Sequence, residues 1–147
     1  MGGKPANTII TLTVTTEGLT TDPDNINNHV VFSDNQSDPL ENPGHPETYV
    51  STVNKGATCE WQGVAANGRD IINILSVVKK NPDGIDILNT PIPPGIQDPK
   101  GGGKKLTATV RGNAINGDEP YTVNFSINDS PIIYPVDPKI RMQEQTS

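Results

Sequence analysis

Thr8-Ile9-Ile10-Thr11-Leu12-Thr13-Val14-Thr15-Thr16 is the stretch whose reading decides the fold. Ile10, Leu12 and Val14 alternate with threonines. Successive side chains of an extended chain point to opposite faces, so this run has one apolar face and one threonine face. Its β-branched residues suit a pleated surface better than a helix. The same period returns in Tyr121, Val123, Phe125 and Ile127, interleaved with Thr122, Asn124, Ser126 and Asn128. It returns again in Ala57, Cys59 and Trp61 against Thr58, Glu60 and Gln62, and in Leu106, Ala108 and Val110 against Thr107 and Thr109. Cys59 and Trp61 therefore share a core-facing side.

Shorter runs at 29–33 and 48–53 read as further strands. Asn54-Lys55-Gly56, the stretch 63–68, Asn81-Pro82-Asp83-Gly84 and Asn116-Gly117-Asp118 read as turns. Residues 70–80 are ambiguous. Ile71, Ile72, Leu75 and Val78 fit helical spacing, whereas Ile72, Ile74 and Val78 fit strand spacing. β-Branched content and the flanking Asn-Gly and Asn-Pro pairs favour a strand. Ile85-Asp86-Ile87-Leu88 would return beside it as a hairpin. The last segment, Ile132-Ile133-Tyr134-Pro135-Val136-Asp137-Pro138-Lys139-Ile140-Arg141, carries two prolines, which points to an edge or irregular strand.

About eight strands at this spacing, without helices between them, predict an all-β fold: a single-domain antiparallel β-sandwich, Ig-like or jelly-roll-like, spanning 1–147. The stretch 17–47 is read as a long loop segment interrupted by one short strand, and loops of that length are often functional or assembly contacts. Of the 147 residues only 32% are hydrophobic, so the core must be thin.

The formal net charge is −6, and Lys and Arg are dispersed. That argues against nucleic acid or an anionic membrane as the main partner. One cysteine excludes an internal disulfide. The N-terminal residues show no apolar signal segment and no run approaches membrane-spanning length, so a cytoplasmic location is the default, with export lacking a cleaved signal left open.

Catalytic chemistry finds no constellation. Cys59 would need a histidine base, and His29 and His45 both lie far earlier in the chain. A buried thiol packed as a small hydrophobe is the simpler account. His29, His45, Cys59 and Met142 supply the ligand types of a blue-copper site but not its spacing. Zinc lacks enough Cys and His. Gly101-Gly102-Gly103-Lys104-Lys105 misses the phosphate-loop pattern, because Asp98 stands at its first glycine and Lys105 at its hydroxyl position. Asp22, Asp24, Asp34 and Asp38 are weak calcium candidates, but Asp22-Pro23-Asp24-Asn25-Ile26-Asn27 is not an EF-hand, and Asx-turn chemistry is the simpler account of it. Asn35, Asn124 and Asn128 match the glycosylation acceptor pattern, for which chance is a sufficient explanation in an Asn- and Ser-rich chain. No cofactor is expected.

The layout resembles the bacterial inclusion-body family of AidA- and PixA-type proteins. The features are the alternating strand from Ile10 to Val14 and the Pro/Asn/Asp loop after it. A Lys55-Gly56 turn then leads to a strand ending at Trp61. Tyr121-Thr122-Val123-Asn124-Phe125-Ser126-Ile127 follows, and Asp137-Pro138 comes near the end. The stretches around Trp61 and Tyr134 match the family pattern only approximately. The resemblance implies a small cytosolic β-sandwich that self-assembles or accumulates, and it transfers no functional residue.

Two functions follow as expectations. The first is a non-enzymatic structural or interaction module whose partners are protein, through self-association or within a larger bacterial assembly. The second is a lectin-like or calcium-assisted ligand-binding sandwich. Its sugar platform would have to come from Tyr49, Tyr121, Tyr134 or Trp61, of which Tyr121 and Trp61 read as core. An enzyme is a third, unsupported class.

Overall fold

The computed structural model describes residues 7–35, 49–80, 87–89, 92–97, 103–112, 117–128 and 130–142. Along them run β1 (Thr8–Val14), α1 (Pro23–His29), β2 (Val30–Asp34), β3 (Val50–Val53), β4 (Thr58–Ala65) and β5 (Ile72–Lys79). Then come β6 (Ile96–Gln97), β7 (Lys104–Thr109), β8 (Gly117–Ile127), β9 (Tyr134–Val136) and β10 (Lys139–Met142). The first sheet has the order β2-β1-β4-β7-β6 and the second β3-β10-β8-β5, with β9 pairing β8 beyond β10. The all-β sandwich architecture read from the sequence is therefore present.

The alternating residues supply the core. Ile10, Leu12 and Val14 of β1, Cys59 and Trp61 of β4, and Tyr121, Val123 and Phe125 of β8 are all buried. Trp61 Nε1 donates to the Tyr121 hydroxyl across the two sheets at 3.0 Å, and the two rings meet edge to face at 5.5 Å. A buried indole N–H thus has its partner, and the contact adds to the area removed from water.

Five sequence expectations need correction. The pairing is mixed, not wholly antiparallel: β1 runs parallel to β4, and β10 parallel to β3. Within the expected loop, residues 23–29 form a helix. Asp22 is its N-cap, accepting from the Asp24 amide at 3.1 Å, and Pro23 opens the first turn. Both are helix-start signals, because the cap satisfies a free amide and proline has none to satisfy. The apolar anchor is Ile26, which is fully buried as α1 packs on β9. The rest of that expected loop, 36–48, lies outside the described residues, as does the turn at 81–84.

Third, of the hairpin expected over 70–88, residues 81–86 lie outside the described ones, and β5 does not pair with Ile87 or Leu88. β5 is a strand, with a bulge between Ile74 and Ser76, but it pairs with β8. Its other edge is closed by glycines. The Gly95 amide donates to the Leu75 carbonyl at 2.9 Å, and a Cβ on Gly95 or Gly103 would lie 1.7 Å from the Ile74 oxygen or 1.8 Å from the Ile72 oxygen. Only glycine allows backbone to come that close to backbone. Ile87 and Leu88 pack elsewhere: Leu88 bridges Val110, and the Ile87 carbonyl accepts from Arg111 at 2.8 Å.

Fourth, the proline-rich end is not all edge. β10 lies inside the second sheet, registered on β8 by Arg141, which forks onto Asp118 at 2.7 and 3.1 Å. Pro138 falls in the break between β9 and β10, where its missing amide removes no ladder bond and its carbonyl accepts from Tyr121. Fifth, two strands are longer than expected: β4 continues through Gly63 to Ala65, and β8 already includes Gly117 and Asp118.

Candidate functional site

A concavity opens at one end of the sandwich. It is a cleft of about 860 Å³, within the size range of small-molecule pockets. It forms where β1 and β4 end, β5 begins and β8 runs out. Its centre is Asp70. Asp70 Oδ2 accepts from Thr16 Oγ1 at 2.7 Å and from Asn67 Nδ2 at 2.8 Å, and Oδ1 accepts from Asn128 Nδ2 at 3.1 Å. Thr16 and Asn67 follow strands of the first sheet, whereas Asp70 and Asn128 flank strands of the second. The carboxylate is therefore a clasp between sheets. The bond from Thr16, then those from Asn67 and Asn128, hold its pKa down to about 2 from an ordinary 3.8, because each donor favours the charged form.

The backbone around the clasp is built to aim it. Asn67 Oδ1 accepts from the amides of Arg69 and Asp70 at 2.8 and 3.1 Å, an Asx turn that carries Asp70 inward. Asn128 sits at φ 52°, in the left-handed region that asparagine tolerates better than most residues. From there Oδ1 accepts from the Ile71 amide at 2.8 Å, and the Asn128 amide donates to the Ile71 carbonyl at 2.7 Å. Most polar capacity of the cleft is thus used internally.

A second carboxylate stands at the other end of β1. Asp34, paired with Ile10 in the β1–β2 register, accepts from the Tyr49 hydroxyl and, at 2.9 Å, from Ser51 Oγ. Tyr49 and Ser51 are fully buried, and Tyr49 also packs on Phe32 at 5.1 Å. Burial, followed by the bond to Asp34, pushes the Tyr49 hydroxyl far above its usual range. Burial does the same to the Cys59 thiol, with the Asp34 charge adding to it. Cys59 is thereby kept in its unreactive form.

The four calcium candidates are not brought together. Asp22 caps α1 with Asp24 beside it, Asp34 lies at the far end of β2, and Asp38 is outside the described residues. Among the described residues, no group of three or more His, Cys, Asp or Glu side chains gathers as a metal site. The proposed sugar platform is not exposed: Trp61, the three tyrosines and the two phenylalanines are all buried. The carboxamides of the glycosylation-pattern residues are engaged. Asn35 Nδ2 donates to the Asn7 carbonyl, Asn124 Nδ2 to Ser76 and Asn128 Nδ2 to Asp70. Sequence reasoning missed the Asp70 clasp, for which the sole local signal was the turn-forming Asn67-Gly68 ahead of it.

The outward face of the first sheet is the other feature of note. The register sets Val31, Thr13 and Val64 in one row across β2, β1 and β4, and Ile9, Glu60 and Thr107 in another across β1, β4 and β7. Ser33, Thr11 and Gln62 make another row, in which Gln62 Nε2 donates to Thr11 at 3.1 Å. Val31 is 53% exposed and Val64 46%. On a chain of net charge −6, these rows carry Glu60, and Lys105 follows Thr107 on the same face.

Among the described residues, no helix is long and apolar enough to cross a membrane. No family model matches the chain, and no curated protein does. Among solved structures it is similar to the inclusion body protein PixA of Burkholderia cenocepacia, with a TM-score of 0.59 over 96% of this chain and 95% of that one, at 10% identity. At so low an identity the likeness speaks for the fold, and the fold this chain shares is that of a protein in the inclusion-body family its sequence layout resembles.

Proposed function

We propose that this chain is a non-enzymatic structural module of a bacterial cytoplasmic assembly, and that its partner is a second copy of itself. The observation that carries the reading is the outward face of the first sheet, where threonine, valine and isoleucine rows leave a surface with few charges, Glu60 and Lys105, of opposite sign, on an acidic protein. Like-charged copies repel one another, and a face with few and balanced charges is where that repulsion is least. β-Branched rows also present a flat surface that packs without much loss of rotamer freedom. The shared fold with an inclusion body protein supports the same role.

Sedimentation velocity over a concentration series tests it. Wild type is expected to shift to larger species as concentration rises, and a Val31→Glu/Val64→Glu variant to remain monomeric with unchanged circular dichroism. A wild type that stays monomeric throughout, or a variant that associates equally well, would count against it.

The cleft around Asp70 favours a second reading, binding of a small polar ligand. With every aromatic ring buried, recognition there would rest on hydrogen bonds without stacking. A glycan array read with and without chelator tests it, and silence in both conditions removes it.

A further inference from the structure

Asn67 is followed by Gly68, in an exposed turn, with its carboxamide inside the Asp70 clasp. Asparagine before glycine is the sequence most open to deamidation, because glycine has no side chain to shield its backbone nitrogen. Gly68 has φ +71°, and a Cβ placed there would meet nothing within 4 Å. No neighbouring group therefore covers Gly68 on its Cβ side.

Hydrogen bonds hold both reacting groups. Asn67 Oδ1 is held by the Arg69 and Asp70 amides, and Nδ2 donates to Asp70 Oδ2 at 2.8 Å and to Thr16 Oγ1 at 3.3 Å. The Gly68 amide, whose proton must leave first, donates to the Ala65 carbonyl at 3.0 Å. We propose that Asn67 is a modification site guarded by the clasp it belongs to: it deamidates when the cleft end of the sandwich opens and is protected while that end is closed.

The step needs only water and base. The Gly68 nitrogen gives its proton to solvent base and attacks Cγ of Asn67. The new N–Cγ bond closes a succinimide as the Cγ–Nδ2 bond breaks, and ammonia leaves with a proton from water. Water then opens the ring at either carbonyl, leaving aspartate or isoaspartate. Either product replaces a donor to Asp70 with a carboxylate, and like charges at that distance disfavour each other. Isoaspartate also lengthens the backbone by one carbon, which displaces the two amides that Oδ1 had held. The clasp does not re-form, so a transient opening becomes permanent.

The test is peptide mapping by mass spectrometry of the full chain at mildly alkaline pH, in native buffer and in urea. Asn116, also followed by glycine, is the reference in urea. There the two sites should convert at equal rates. In native buffer Asn67 should convert at least about tenfold more slowly than in urea, the change expected from roughly one net hydrogen bond. Thr16→Val and Asp70→Asn, each checked as folded by circular dichroism, should speed conversion of Asn67 in native buffer. If Asp70→Asn does not fold, Thr16→Val supplies the reading. Equal native and urea rates for Asn67 would overturn the proposal, as would protection that folded variants leave unchanged.

Discussion

At the Ile10 end of β1, Asp34 reaches from the first sheet to Tyr49 and to Ser51 of β3. Past the Val14 end, Asp70 reaches from the second sheet to Thr16 and Asn67 of the first. Both carboxylates join the sheets through side-chain donors. They differ in what surrounds the donors. Tyr49 and Ser51 are fully buried, whereas Thr16 is partly exposed and Asn67 open to water at the cleft mouth. Coulombic and hydrogen-bond terms grow as water is excluded, and so does the cost of a donor lost. The buried clasp should therefore hold the fold, while the open one sets how easily one end of it loosens.

The comparison breaks most visibly at Tyr49. Tyr49→Phe removes a donor from Asp34 inside the core and should cost about 1–3 kcal/mol, read as a lower urea midpoint at unchanged slope. A loss no larger than that of a Thr16 variant would erase the distinction between the two ends.

A smaller effect, tied to pH, is expected at Asp70. Its folded pKa is lowered to about 2 from 3.8, so the stability it contributes is fully present above about pH 4 and is lost as pH falls towards 2. Wild type should exceed Asp70→Asn in thermal midpoint at neutral pH, and the gap should close across that acid window. A gap independent of pH would mean that the charge on Asp70 is not what the donors hold.

Thr16→Val should give the smallest change. It removes one of three donors to Asp70, and water can replace it at this partly exposed position. Its thermal midpoint should fall by less than that of Asp70→Asn, with no change in the Tyr49 end as followed by tyrosine fluorescence.

The strands were legible where one face is buried and the other wet. The alternation at Ile10 to Val14 and at Tyr121 to Ile127 became β1 and β8 because burial repeats at the strand period. In 70–80 the period is broken by the bulge after Ile74, which left helix and strand both open. The helix start at Asp22-Pro23 is ambiguous in sequence, since Asx turns use the same residues. The clasp was not readable: Asp70 takes donors from positions 54 and 58 residues away.

By itself, then, the sequence determined the all-β class, the burial of Cys59 and Trp61, and the position of the apolar layer, because these follow from side chains alternating along a single strand. Tertiary structure alone decided which strands are neighbours, that β1 lies parallel to β4 and β3 to β10, and that Thr16, Asn67 and Asn128 converge on one carboxylate. The physical reason is that a strand's own pattern says which face is buried but not which backbone edge will pair with it, and long-range contacts are set only when the whole core closes.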